Sequence, residues 1–268
     1  MKYAQLYIGV AGSGKSSCCK YVQEHLNLLQ RKCYVVNWDV ASENLPYEAY
    51  ADVRDVIDIK AYQSDNFLGP NGALIEAMES ISTEYDYLSD VFEDIEDSSF
   101  VLLDCPGQLE LYSNSMAIFN LIKRLIQFDY SVICIFCMDI AFLSDLNKLL
   151  GSAIYALSSM VLLDAPFVCA LTKWDLLDES SEYNQEDFSV NFQDLISITP
   201  GKLSLKQKKY ITAIQETLND WNMLSFNKLS IVDDNLMSEF QIKCDLIHNY
   251  EPANNNYLYE TRDDNDSS

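Results

Sequence analysis

The chain has 268 residues, 49% of them apolar, and a formal net charge of −23 from 41 acidic against 18 basic side chains. That length suits one α/β domain, with or without an insertion, and the apolar share allows a sizeable core. The charge argues against direct binding to nucleic acid, whose phosphate backbone needs a basic surface, and favours basic protein partners.

The first apolar run, Ala4–Ile8, predicts a buried strand rather than a signal peptide. It feeds Gly9-Val10-Ala11-Gly12-Ser13-Gly14-Lys15-Ser16, which reads G-x-x-x-x-G-K-S, and a helical spacing continues over Lys15–Leu29. Strand, Gly-rich turn and helix together make a phosphate cradle, because the glycines let backbone N–H groups point inward and the helix N-terminus adds partial positive charge. Gly12, Ser13, Gly14, Lys15, Ser16 and Ser17 form the predicted phosphate-binding set. Lys15 would neutralise the β and γ phosphates, and the Ser16 hydroxyl would hold Mg²⁺.

A second strand, Cys33–Trp38, is closed by Asp39, a candidate for holding a metal-bound water or polarising an attacking one. The alternative for Asp39 is an N-cap for a helix beyond it. Gly69-Pro70-Asn71 precedes a helix over Gly72–Ile81, and the acidic stretch Glu84–Asp97 interrupts the pattern. The run Phe100–Leu103 ends in Asp104-Cys105-Pro106-Gly107-Gln108, a D-x-x-G-Q pattern. There Asp104 would orient Mg²⁺, Gly107 would bring an N–H close to the γ-phosphate, and Gln108 would orient water. Glu110 is open between a catalytic and a surface role.

Further along come a helix over Ser115–Phe128, a strand over Val132–Met138, a helix over Ser144–Met160 and a strand over Phe167–Leu171. That strand ends in Thr172-Lys173-Trp174-Asp175, the [N/T]-K-x-D pattern of guanine readers. The Asp175 carboxylate can accept from guanine N1–H and N2–H₂, donors adenine lacks, and as a buried acceptor it would reject ATP strongly. Lys173 would lay its stem along the base, and Thr172 would bond the loop. A lid-like insertion is expected over 178–203, then a helix over Ser204–Trp221, a strand over Leu229–Val232 and a helix over Leu236–His248. The loop reading guanine O6 should lie near Ser230 and Ile231. Residues 251–268 are acidic, Asn-rich and expected to be disordered.

Strands alternating with helices predict a P-loop α/β fold, a parallel-sheet core with helices on both faces, its ligand beyond the carboxyl ends of the strands. Residues 1–250 read as one such domain. Cys134 and Cys137 form a C-x-x-C on a strand, where positions three apart point to opposite faces, so core packing is the expectation rather than a disulfide or zinc. His25 and His248, the two histidines, have no paired ligand nearby. The apolar region Ala153–Leu171 is broken by Asp164 and Pro166, so no membrane span is expected, and a reducing, soluble compartment fits the cysteine usage.

With Gly69-Pro70-Asn71 between the second strand and the D-x-x-G-Q strand, the three nucleotide motifs make the chain resemble the GPN-loop GTPases from Tyr3 to about His248. Lys2-Tyr3-Ala4-Gln5-Leu6, the run from Asp104 to Tyr112 and Leu157-Ser158-Ser159-Met160 are most similar to the family's third eukaryotic paralogue. The resemblance implies a GTPase using Mg²⁺, dimeric with facing active sites, in which Asn71 of one subunit reaches the γ-phosphate region of the other. With Gln108, Asp39 and Asp104, Asn71 completes the catalytic set. The resemblance further implies pairing with a first-type paralogue or with itself, a role in RNA polymerase II assembly and nuclear import, and a cytoplasmic location with shuttling to the nucleus. A GTP-gated adaptor, with hydrolysis only as reset, is the alternative; a nucleotide kinase or a related dimeric ATPase explains fewer motifs. The chain departs from the family at Val10 and Val40, where proline is usual, and at Ser17, where threonine is common. Losing proline at Val40 leaves the Asp39 loop less fixed.

Overall fold

Strand β1 (Lys2–Ile8) is buried along its whole length and lies at the centre of a seven-stranded sheet. A computed structural model describes residues 1–177, 209, 212–213 and 226–251. The strands are β2 (Cys33–Asn37), β3 (Ala51–Asp52), β4 (Phe100–Asp104), β5 (Tyr130–Asp139), β6 (Phe167–Thr172) and β7 (Phe226–Lys228). Among these residues every pairing is parallel, in the order β3-β2-β4-β1-β5-β6-β7. The crossovers reverse direction around β1, which opens a crevice at its carboxyl end, where such sheets bind ligands.

Side-chain alternation divides the core. From β1, Ala4, Leu6 and Ile8 join one cluster, while Tyr3 and Tyr7 join the other. Helices α1 (Lys15–Leu28) and α8 (Asp234–His248) cover the second face. The first is covered by α3 (Pro70–Ile81), α4 (Tyr85–Phe92), α5 (Glu110–Ser113), α6 (Ala117–Gln127) and α7 (Leu146–Leu163). A short α2 (Ile59–Asp65) precedes α3 and buries none of its side chains. Cys134 lies in one cluster and Cys137 in the other, so the C-x-x-C splits across the sheet as its strand setting predicts, and all eight cysteines are free thiols.

Four expectations need correction. The stretch Glu84–Asp97 contains helix α4, whose Leu88, Val91 and Phe92 are buried while its acids face water. Lys2 Nζ donates to the Phe92 and Glu93 carbonyls at 3.0 and 2.8 Å, capping that helix with a cation. Helix α3 begins at Pro70 rather than Gly72, since Pro suits the first helical position. The last strand is Phe226–Lys228 rather than Leu229–Val232; Ser230 turns the chain there, its hydroxyl accepting from the Val232 amide at 3.2 Å, and Val232 is exposed. Finally, the apolar stretch in α7 starts at Leu146, ahead of the break at Asp164, and is long and apolar enough to cross a membrane by length and composition. Its Leu149, Leu150, Ala153, Ala156 and Leu163 are packed in the first core cluster. The insertion over 178–203, nearly all of the helix Ser204–Trp221 and the tail beyond Glu251 lie outside the described residues.

Candidate nucleotide site

The turn from β1 into α1 places Gly9, Gly12 and Gly14 at φ of 132°, 79° and 89°. Gly9 cannot carry a side chain, because a Cβ there would stand 2.5 Å from the Cys137 carbonyl oxygen, on top of a strained φ. Lys15, buried, donates its ammonium to the Gly9 and Val10 carbonyls, each at 3.0 Å, and so lies folded over the loop it would serve. Ser13 is fully buried and its hydroxyl has no hydrogen-bond partner among the described residues, an unmet polar group in the cradle itself.

Asp104 ends β4 beside this loop and is almost fully buried. Its carboxyl is raised by burial, opposed by hydrogen bonds from Ser16 and Tyr47 and by the nearby Lys15 charge. Tyr47 donates its hydroxyl to Asp104 Oδ2 at 2.7 Å. Asp39 is also raised, first by burial and then by Asp104, against the Ala41 amide, Lys15 and Arg54. Ser16, Asp39, Asp104 and Lys15 are thus one electrostatic group. Among the described residues no three His, Cys, Asp or Glu side chains converge as a metal cage. The donors present are a hydroxyl and two carboxylates, hard oxygens that suit Mg²⁺ when phosphate oxygens and water complete its shell, so the residues fit that ion.

After β4 the chain comes back against the P-loop. A Cβ on Gly107 would fall 2.8 to 2.9 Å from the backbone and Cβ of Ala11, so only glycine permits this approach. Tyr112 donates its hydroxyl to the Pro106 carbonyl and Tyr155 of α7 donates to that of Leu109, holding the segment from both sides. Gln108 sits between these anchors with its Oε1 buried and without a partner among the described residues. Glu110, exposed, opens α5.

The β6 end is tied directly to the P-loop. Thr172 Oγ1 donates to the Ser13 carbonyl at 2.7 Å and the Met138 carbonyl at 3.2 Å. Lys173, in the left-handed region at φ 60°, reaches the Gly12 carbonyl at 2.9 Å and Asp139 Oδ2 at 2.6 Å. Asp175 accepts from the Ser230 hydroxyl at 2.9 Å. Its carboxylate is exposed rather than buried, so its selectivity must come from the base that covers it. Ser230 thus enters as a side chain that aims Asp175, a role with no local sequence signal. Asn71 is exposed in the first turn of α3, and no hydrogen bond joins it to the P-loop among the described residues. The structure therefore gathers the P-loop residues, Asp39, Asp104, Gly107, Gln108, Thr172, Lys173 and Asp175 around the β1, β2, β4 and β6 ends, while nothing among the described residues ties Asn71 to them. Ser17 lies half-buried in the first turn of α1.

Residues 7–250 match a family model described as "Conserved hypothetical ATP binding protein". Among curated proteins, GPN-loop GTPase 3 of Danio rerio is 35% identical over 243 residues, covering 87% of this chain and 83% of that protein. GPN-loop GTPase 2 of Saccharomyces cerevisiae is 30% identical, covering 93% and 75%. A GTPase of Pyrococcus abyssi, solved in its apo form, shares the fold at a TM-score of 0.74 and 22% identity, covering 92% of this chain and 97% of that one. With these matches over the residues that build the site, the chain belongs to the GPN-loop GTPase family.

Proposed function

We propose that this chain binds GTP with Mg²⁺ and hydrolyses it to GDP and phosphate by in-line attack of water. The observation that carries the reading is the tie of Thr172 and Lys173 to the P-loop carbonyls, with Ser230 aiming Asp175. A base reader and a phosphate cradle held at fixed spacing select one nucleotide. The family model's description names ATP; the donors that match Asp175 belong to guanine. Mg²⁺, when bound, would supply neutralisation of the phosphate charge. Lys15 would bind the phosphates, Ser16, Asp39 and Asp104 would hold the metal and its water, Gly107 would offer its amide, and Gln108 would orient the nucleophile.

The finer reading is that Asn71, exposed and without a hydrogen bond to the P-loop among the described residues, serves a facing subunit, either a second copy or a paralogue of the first type. The family's eukaryotic members suggest a task in RNA polymerase II assembly and nuclear import, in a cytoplasmic protein that shuttles. Light scattering after size exclusion, with and without a GTP analogue, tests the pairing; a monomer in both states removes Asn71 from the mechanism.

Calorimetry tests the core claim. Wild type should bind GTP in preference to ATP. Asp175→Asn should weaken GTP by about 1–3 kcal/mol, the cost of leaving polar groups unpaired, and gain xanthosine nucleotide. Equal heats with GTP and ATP would overturn base reading by Asp175. Lys15→Ala should lose most of the triphosphate affinity, and an unchanged titration would remove the P-loop assignment.

A further inference from the structure

The loop that carries Asp39 is held by a polar brace. The Arg54 guanidinium forks onto Asp52, with Nε 2.9 and 3.0 Å from its two oxygens and Nη2 2.5 Å from Oδ2. Its other arm, Nη1, donates to the Ser42 and Glu43 carbonyls at 3.0 and 3.1 Å, gripping the loop just past Asp39. Asp52 also accepts from Asn37 Nδ2 at 2.7 Å, and Asn37 Oδ1 accepts from the Asp39 amide at 3.1 Å. Ser42 closes the ring, its hydroxyl donating to the Asp39 carbonyl at 2.9 Å. Burial works to raise the Asp52 carboxyl, but the Arg54 and Asn37 hydrogen bonds outweigh it and hold it below the usual range. The Asp52 side chain is 14% exposed and that of Arg54 32%, so this pair is shielded enough to matter more than a surface ion pair.

We propose that Arg54 is a positioning residue for hydrolysis, which clamps the Asp39 loop through Asp52 and Asn37 without touching the nucleotide. This rests on the GTPase reading above. The chemistry favours arginine specifically. One planar fork satisfies a carboxylate while its remaining nitrogen reaches two carbonyls, a geometry that a lysine ammonium cannot span. Displacing a group by about 1 Å can cost as much as about 100-fold in rate, so a loose Asp39 loop should show in turnover before binding.

The test uses the full chain with Arg54→Gln, Arg54→Lys and Asp52→Asn, the last two guarding against a fold lost through the first. Active sites are counted by GTP titration, so that kcat refers to folded protein. Arg54→Gln should keep its GTP affinity within about threefold, lower kcat by about tenfold or more, and leave KM nearly unchanged. Arg54→Lys should not restore kcat. Amide hydrogen exchange in nucleotide-free, metal-free protein should quicken about tenfold or more at Asp39 and Ser42 in all three variants, with α1 and β1 unaffected. Unchanged exchange at those amides, or full rescue by Arg54→Lys, would overturn the clamp. A uniform rise in exchange across the sheet would reduce the brace to general stability and overturn it as well. If wild type fails to bind GTP, the exchange result still decides the clamp, so the two readings fail separately.

Discussion

At the scale of single residues, the site depends on backbone approaches that only absent side chains allow. Gly107 is the clearest case, since its would-be Cβ meets backbone atoms of Ala11 at 2.8 and 2.9 Å, and neither segment has a flexible end to yield. Gly107→Ala should destabilise by about 1–3 kcal/mol through overpacking. It should also slow single-turnover GTP hydrolysis by about tenfold or more by pushing the segment around Gln108 away. Gly151 in α7 has open space around it, so Gly151→Ala is a fitting control and should leave hydrolysis alone. Rates equal to wild type for Gly107→Ala would show that the approach is not needed. The residues with spaced motifs, Lys15, Ser16, Asp104, Gly107, Thr172 and Asp175, are legible because phosphate, metal and base each demand a fixed offset along the chain. Tyr47, Arg54 and Ser230 are not. Each acts through one side chain outside the motifs, and nothing in the neighbouring letters marks a tyrosine that bonds Asp104.

At the scale of elements, strands are easier to read than the segments between them. Continuous apolar runs mark central parallel strands, and β1, β2, β4, β5 and β6 all fall within a few residues of expectation. Helix α4 is hidden because it spans only eight residues inside an acidic stretch, and its packing comes from Leu88, Val91 and Phe92 meeting a core that the sequence does not display. The short β7 is displaced from expectation because Leu229, Ile231 and Val232 look like a strand, while the turn at Ser230 is set by its contact with Asp175. The ties that join elements are equally invisible, and the β6 end shows their weight. Thr172 is buried, and its hydroxyl serves two carbonyls, one in the P-loop and one in β5. Thr172→Val keeps the shape and removes both bonds. It should cost about 1–3 kcal/mol, read as a fall of several degrees in the melting temperature. GTP affinity should fall as well, since the cradle loses its tie to the base reader. An affinity loss without a change in melting would mean that Thr172 acts on the nucleotide alone.

At the scale of the molecule, α8 is the seam that closes the second face of the sheet. A buried polar path runs from Tyr7 through Gln5 and Gln241 to Asp245, which Arg31 meets at 2.7 Å. In the last turn of α8, His248 is buried against Tyr3 and Phe100, its Nδ1 3.0 Å from the Ser131 hydroxyl and its Nε2 without a partner among the described residues. Burial lowers the imidazole to about 4 from an ordinary 6.5, so the native state holds it neutral. The unfolded chain then binds the proton more readily than the folded one between about pH 6.5 and pH 4, and stability falls with pH across that window. From pH 7 to pH 5 this group alone should remove about 2 kcal/mol. The buried carboxyls Asp39, Asp104 and Asp245 are all raised, which acts in the opposite direction and masks the loss in wild type. The comparison must therefore be between wild type and His248→Phe, whose ring suits the aromatic surroundings and cannot take a proton. The variant should start less stable at pH 7, having left Ser131 without its partner. It should nonetheless gain on wild type as pH falls to 5, as measured by chemical denaturation at each pH. Parallel curves for the two proteins would show that His248 does not titrate within the seam and that the acid sensitivity of the fold lies elsewhere.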